Sequence, residues 1–229
     1  SYIMLALKQA LSLVSTNTLG GWQPSDETRL EAWYKNKEGI TLNGSDVSAW
    51  ADSSSNSYDM VQATATEQPA YNASTGALTF DKTAVQSLQT TSQISISSDF
   101  TVGVRLDPLS NNVIVLGDNT INHEFFKIVN STTFRVKTDG SQVDIIVNDG
   151  DLADDNYLVL TRASDLVSLY INGTRQTDSA TLAGTVDIDA IGVRNTDTNP
   201  YDGIIKEIQI YDSTSAALTA NINTYLSTL

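Results

Sequence analysis

Apolar and polar residues alternate with period two through most of this chain, the pattern of strands that lay one face on a core. Val167, Leu169 and Ile171 alternate with Leu166, Ser168 and Tyr170. Phe100, Val102, Val104 and Leu106 alternate with Thr101, Gly103, Arg105 and Asp107, and Pro108 closes that run. Ile204, Ile208 and Ile210 fall on one face with Lys206, while Glu207 and Gln209 fall on the other. Val113 to Leu116 is apolar throughout, as in a strand covered on both faces. Asn172-Gly173 fits a two-residue type I′ hairpin, whose central residues both take positive φ. Gly117-Asp118-Asn119, Asp139-Gly140 and Asp149-Gly150 mark further turns. About a dozen strands are predicted in this way.

Two stretches carry helical spacing instead. In residues 2–16, Ile3, Leu7, Ala10, Leu11 and Val14 share one face, which Met4, Leu5 and Leu13 widen. Lys8 interrupts the apolar run and no charged segment precedes it, so the stretch is read as an amphipathic helix, not a signal peptide. Gly20-Gly21 and Pro24 break it. At the other end, Leu218, Ile222, Tyr225, Leu226 and Leu229 form a stripe from Ser213 onward, with Asp212 or Ser213 placed to cap. The division is therefore an N-terminal helix over residues 1–19 and one all-β domain with a closing helix over residues 20–229.

The chain has 229 residues, 40% of them hydrophobic, which is enough for a real core. Thirteen Lys and Arg against 27 Asp and Glu leave a net charge of −14, which repels phosphate backbones and predicts no nucleic-acid partner. There is no cysteine, so disulfides, thiolate metal sites and cysteine nucleophiles are excluded. No apolar run reaches the length of a membrane-spanning helix.

The stretch Leu169-Tyr170-Ile171-Asn172-Gly173, then Ile191-Gly192-Val193-Arg194, then Tyr201-Asp202-Gly203-Ile204 through Tyr211-Asp212 resembles the second half of the laminin-G/concanavalin A-like jelly-roll family. The first half is similar to the opening of laminin-G-like domains in many phage and bacterial surface proteins. The residues that carry this are Pro24, Leu30, Trp33, Val47, Trp50, Asp52, Ser53, Asn56, Gln62, Gln68, Pro69, Tyr71, Leu78, Phe80 and Asp81. One departure stands out: Lys35-Asn36-Lys37 replaces an acidic pair that usually follows the first Trp. The resemblance implies a single jelly-roll β-sandwich of the concanavalin A-like type, with a helix across one edge.

Candidate chemistry is sparse. Glycoside hydrolysis needs paired carboxylates. Concanavalin-like glucanases carry them as Glu-x-Asp-x-Glu on one strand, a motif missing here. Glu207 stands alone on its strand, and Asp187-x-Asp189 lacks the glutamates. The single His123, read as a loop residue, has no nucleophile elbow to serve. The chain is accordingly read as non-enzymatic, with no required cofactor. Some laminin-G-like domains hold a calcium ion at the rim on oxygen ligands. Asp118, Asp197 and Asp202 are the positions that would do so here, and the acidic turn at 148–155 lacks EF-hand spacing.

Two functions are carried forward. The first is a bacteriophage virion protein, either capsid decoration or a neck or tail accessory. It would dock on other virion proteins, or on a second copy of itself, through Ile3, Met4, Leu7, Leu11 and Val14, unless that helix packs on its own sandwich, and its location would be the virion. The alternative is a carbohydrate-binding module, at an extracellular surface if not viral. It would bind a glycan, a host surface glycan included, through rim loops bearing Asp118, Asn119, Asp197, Asn199, Tyr201 and Asp202. Trp33 and Trp50 are read as core anchors in preference to sugar platforms.

Overall fold

The computed structural model describes residues 21–120, 123–148 and 152–229. The expected N-terminal helix, with Ile3, Met4, Leu7, Leu11 and Val14, lies outside the described residues, as does the turn at Asp149-Gly150. The described chain opens with six strands, β1 (Leu30–Tyr34), β2 (Ile40–Asn43), β3 (Asp46–Trp50), β4 (Met60–Val61), β5 (Ala70–Asn72) and β6 (Ala77–Phe80). Six more follow, β7 (Leu88–Ile96), β8 (Phe100–Pro108), β9 (Val113–Asp118), β10 (His123–Asn130), β11 (Thr133–Lys137) and β12 (Gln142–Ile146). The last five are β13 (Asn156–Ala163), β14 (Leu166–Ile171), β15 (Thr174–Thr181), β16 (Val186–Ile191) and β17 (Gly203–Tyr211), after which helix α1 (Ala216–Leu226) ends the fold. The predicted dozen strands undercount because β2 to β6 are too short to show alternation. His123 opens β10 opposite Asp118 of β9, so it is a strand residue and not a loop residue.

Every pairing is antiparallel, and the pairings trace two curved layers. In the front layer β17 takes β1 and β6 along one edge, and β8, β13, β14 and β15 follow on the other side. In the back layer β2, β3, β4, β7, β16, β9, β10, β11 and β12 succeed one another. Because β5 pairs with both β3 and β6, the ladder runs on from one layer to the other. At the opposite side the gap is closed by side chains of β15. Asp178 accepts from the Ile146 amide at 2.7 Å, and Gln176 accepts from the Asn148 amide at 3.0 Å. These capped amides leave less of an open edge for another chain to pair with.

The core fills the space between the layers. Val102, Val104, Leu106, Leu158, Leu160, Ile208 and Ile210 of the front meet Ile94, Ile96, Val115, Phe126, Phe134 and Ile188 of the back, all buried. Val113 to Leu116 are buried, as their unbroken apolar run predicts, while Gly117 and Asp118, expected in a turn, extend β9 and are buried too. Asn172 (φ 50°) and Gly173 (φ 81°) form the predicted hairpin turn, with Ile171 opposite Thr174. Trp33 and Trp50 are buried, in keeping with their reading as anchors.

Strand β17 departs from strict alternation. Its register against β8 slips between Ile205, opposite Leu106, and Glu207, opposite Arg105. Lys206 is thus the extra residue of a bulge. Ile205 replaces Ile204 on the core face, and the expectation that Ile204 packs with Ile208 and Ile210 is corrected.

Helix α1 lies on the outer face of the front layer. Leu218, Ile222 and Leu226 join Val159 and Tyr211 in a second apolar cluster, flanked by Trp22, Leu30, Tyr157, Tyr170, Tyr225 and Leu229. Gly103 on β8 permits this approach, since a Cβ there would stand 2.5 Å from Ile222 Cγ2. The cap is Ser215, whose hydroxyl accepts from the Leu218 amide at 3.0 Å, and not Asp212 or Ser213.

Candidate functional site

The described loops converge on a cavity of about 370 Å³ at one end of the sandwich. Its wall is made by Lys82 and Thr83 after β6, by Asn111 and Asn112 between β8 and β9 with Val113 at the start of β9, and by Asn199 and Pro200 before β17. The last two segments are pinned by backbone hydrogen bonds. Ile114 donates to Asn199 O, Asn112 to Val129 O, Leu109 to Asp202 O and Tyr201 to Gly192 O, each at 2.8–2.9 Å. Four non-glycine residues here sit in the left-handed region: Asn112 (φ 59°), Thr196 (φ 72°), Asp197 (φ 54°) and Asn199 (φ 55°). Such strain persists only where surrounding contacts fix it, and it collects at ligand sites.

The amides of the pocket are partly committed to one another. Asn112 Nδ2 donates to Asn199 Oδ1 at 2.6 Å. Asn112 Oδ1, Asn199 Nδ2 and the whole Asn111 amide make no hydrogen bond with the described residues. Lys82 Nζ donates to Ser110 Oγ at 2.6 Å and lies 3.5 Å from Asp202 Oδ2. Ser110 Oγ donates to that same Asp202 oxygen. Leu109, on the same loop, is among the most exposed large apolar residues described.

Of the rim residues expected from sequence, only Asn199 lines this pocket; Asp202 stands behind the wall, 3.5 Å from Lys82 Nζ. Asp197 is exposed on the neighbouring turn. Tyr201 is 0% exposed, donates to Ile204 O at 3.1 Å and meets Phe80 edge-on at 5.8 Å. It is a core residue, and the expectation that it offers a ring to a sugar is corrected. Lys82, Thr83, Asn111 and Asn112 were missed. Ser110-Asn111-Asn112 reads in sequence only as turn composition.

Asp118 and Asn119 belong to a different cluster, where β9 leaves the back layer. Asp118 is buried, and its Oδ1 accepts from Thr120 N at 2.8 Å and Thr120 Oγ1 at 2.6 Å. Asn119 Nδ2 donates to Gln89 Oε1 at 2.7 Å, and its backbone amide donates to Asp189 Oδ1 at 2.5 Å. Asp189 is 3% exposed. Burial pushes its carboxyl up to about 6; the Asn119 amide pulls it down, and neighbouring Asp118 and Asp187 push it further up. Among the described residues no group of three His, Cys, Asp or Glu side chains could hold a metal ion.

A raised carboxyl stabilises the fold most when protonated. Its contribution is full below about pH 4, falls as the unfolded chain ionises first, and is flat above about pH 6. Asp189→Asn keeps the acceptor for Asn119 and removes the charge. It is expected to leave stability unchanged near pH 4 and to raise it at pH 7 by up to about 3 kcal/mol. Urea melts at the two pH values test this, and an equal effect at both would refute the assignment.

A second concavity, about 390 Å³, lies beside α1 between Trp22, Gln23, Asn221, Thr224, Tyr225 and Thr228. Trp22 meets Tyr225 edge-on at 6.1 Å, and its Nε1 donates to Glu27 at 2.8 Å. Beneath α1, Glu207 is 0% exposed. Its Oε1 accepts from Trp33 Nε1 and Gln209 Nε2, both at 2.7 Å, and its Oε2 from the Asn36 amide at 3.0 Å. Tyr225 also hydrogen-bonds to it. Burial pushes the Glu207 carboxyl up, and these four donors pull it back.

Two antiparallel layers with a helix laid on the outer face of one define a jelly-roll β-sandwich. The chain belongs to the Concanavalin A-like lectin/glucanases superfamily, whose family model matches residues 80–221. No curated protein sequence matches it. Among solved structures it is similar to domain 4 of AbnA, an extracellular arabinanase of Geobacillus stearothermophilus in complex with arabinotriose. Identity is 18%, coverage is 85% of this chain and 98% of that one, and the TM-score is 0.57. A sialidase of Trypanosoma rangeli is 14% identical with a TM-score of 0.50, over 88% of this chain and 33% of its own. The CBM40 of a Ruminococcus gnavus sialidase, bound to sialyllactose, is 16% identical with a TM-score of 0.43, over 56% and 83%. At these identities the likeness is one of fold.

Proposed function

We propose that this chain is a non-catalytic glycan-binding module and that its ligand sits in the rim pocket. The observation that carries this is the convergence of Asn111, Asn112 and Asn199 on one 370 Å³ cavity with open amide groups. Amides offer donor and acceptor together, as sugar hydroxyls do. Family membership supports the reading, and so does the arabinotriose carried by a domain of the same fold. Glu207, the one carboxylate on its strand, is enclosed by its own donors, which favours a structural over a catalytic role. The virion reading keeps its opening sequence motif as support, and its docking residues fall outside the described chain.

The test is calorimetric titration with neutral oligosaccharides of pentose and hexose backbones. Asn112→Gly and Asn199→Gly remove the amides while suiting the positive φ at both positions. Together they are expected to weaken binding roughly tenfold or more. Trp22→Ala, in the groove beside α1, is expected to leave it unchanged. Binding that follows Trp22 and ignores the two asparagines would move the site.

A further inference from the structure

We infer that the rim pocket takes a neutral, hydroxyl-only saccharide and discriminates against acidic sugars; this rests on the glycan-binding reading above. Lys82 is the one cation in the pocket wall. Its charge is already offset, because Asp202 lies 3.5 Å from its Nζ and Ser110 takes a hydrogen bond at 2.6 Å. Asp202 is itself partly buried, with 21% of its side chain exposed, so solvent screens its charge incompletely and it stays paired with the Lys82 wall residue. An entering carboxylate would meet a compensated ion pair and the field of a chain with net charge −14.

The amides point the same way. The open groups of Asn111, Asn112 and Asn199 include both oxygens and N–H groups. A carboxylate or phosphate only accepts, so it would leave the amide oxygens facing lone pairs. A pair of sugar hydroxyls both donates and accepts and satisfies each amide in turn. Val113 and Pro200 add apolar wall for the C–H face of a ring. A cavity of about 370 Å³ is at the small end of ligand pockets, which run roughly 300–1,000 Å³ and above. That suits one or two sugar units.

The experiment is saturation-transfer NMR and calorimetry on the full chain with arabinotriose, lactose, maltotriose and sialyllactose, at low and high salt. Sialyllactose is lactose with an acidic sugar added, so that pair isolates the charge. The wild-type chain is expected to bind neutral saccharides with little salt dependence, and to bind sialyllactose no more tightly than lactose. Asp202→Asn keeps an acceptor for Ser110 and frees the Lys82 charge. It is expected to gain roughly two- to fivefold for sialyllactose, an exposed ion pair's worth, and to lose that gain in high salt. If the wild type prefers sialyllactose in a salt-sensitive way, the neutral class is wrong while the glycan reading stands. If Asp202→Asn gains nothing, the argument from the Lys82 pair falls. If no saccharide of the set binds, the glycan-binding reading fails, and this inference with it.

Discussion

Arg162→Met is expected to cost roughly 3–5 kcal/mol of folding stability, since each hydrogen bond to a charged group contributes about 1.5–3 kcal/mol. Arg162 is 1% exposed. It stands on β13 of the front layer, yet its guanidinium reaches backbone oxygens of other segments. Nε and Nη2 donate to Ser98 O at 3.0 and 2.5 Å, and Nη1 donates to Gly184 O at 2.7 Å. Leu182 O and Ile96 O accept more loosely, each at 3.5 Å. The same cation lies over the Phe100 ring at 4.9 Å. One side chain thereby ties the turn after β7 to the turn before β16, and both to the front layer. Burial pulls its pKa down, and Asp165, Asp99 and Asp139 hold it up. Methionine fills similar volume and answers none of the oxygens. Arg162→Lys should lose about half as much as methionine, because an ammonium cannot fork to two separated turns. The check is a shift of the urea midpoint with unchanged slope. A loss below about 1 kcal/mol for methionine would show that the clamp is dispensable.

Arg162 also shows where sequence legibility stops. It sits in a run, Leu158 to Ala163, that reads simply as a strand. Nothing in the one-dimensional pattern says that a cation will be buried there, because its acceptors come from segments about 20 and 65 residues away. The core was legible for the opposite reason. Val102, Val104 and Leu106 declare their face by period alone, and all three lie in the core. Alternation misled only at the Lys206 bulge, where one inserted residue exchanges Ile204 for Ile205.

The opening motif was legible as a family signature, and the structure gives it a mechanical meaning. Asp52 Oδ1 accepts from Trp33 N and Ser54 N, both at 2.8 Å, while Oδ2 accepts from Ser54 Oγ at 2.6 Å and Tyr58 N at 3.0 Å. Asn56 donates to Leu30 O and Glu31 O. Gln62 and Gln68 are buried and tie β4 to Ser87 and Asn43. These residues build the scaffold and contribute nothing to the rim pocket. The pocket is harder to read because its residues come from three loops more than 25 residues apart, each of ordinary turn composition. Asn199 was reachable only because its loop is long and rich in Asn and Asp.

The departure at Lys35-Asn36-Lys37 leads to the second large effect. Lys35 lies over the Trp33 ring at 4.8 Å. The Asn36 side chain donates to Thr75 O and Lys206 O, both at 3.2 Å, and its backbone amide donates to Glu207. The segment is a staple that holds the β17 bulge and the buried carboxylate beneath α1. Glu207→Leu is expected to cost roughly 3–5 kcal/mol, because it orphans Trp33 Nε1, the Asn36 amide and Tyr225 at once. Glu207→Gln should cost about 1–3 kcal/mol, because its NH₂ must face a site where every partner already donates. Neither change should alter saccharide binding by more than about twofold, since the rim pocket shares no residue with the network. Denaturation and titration of the two variants separate the roles. A carboxylate kept for chemistry would show little stability loss on Glu207→Gln and would lose any turnover of a bound saccharide. A carboxylate kept to seat α1 loses stability in the order leucine, then glutamine, and the module still binds.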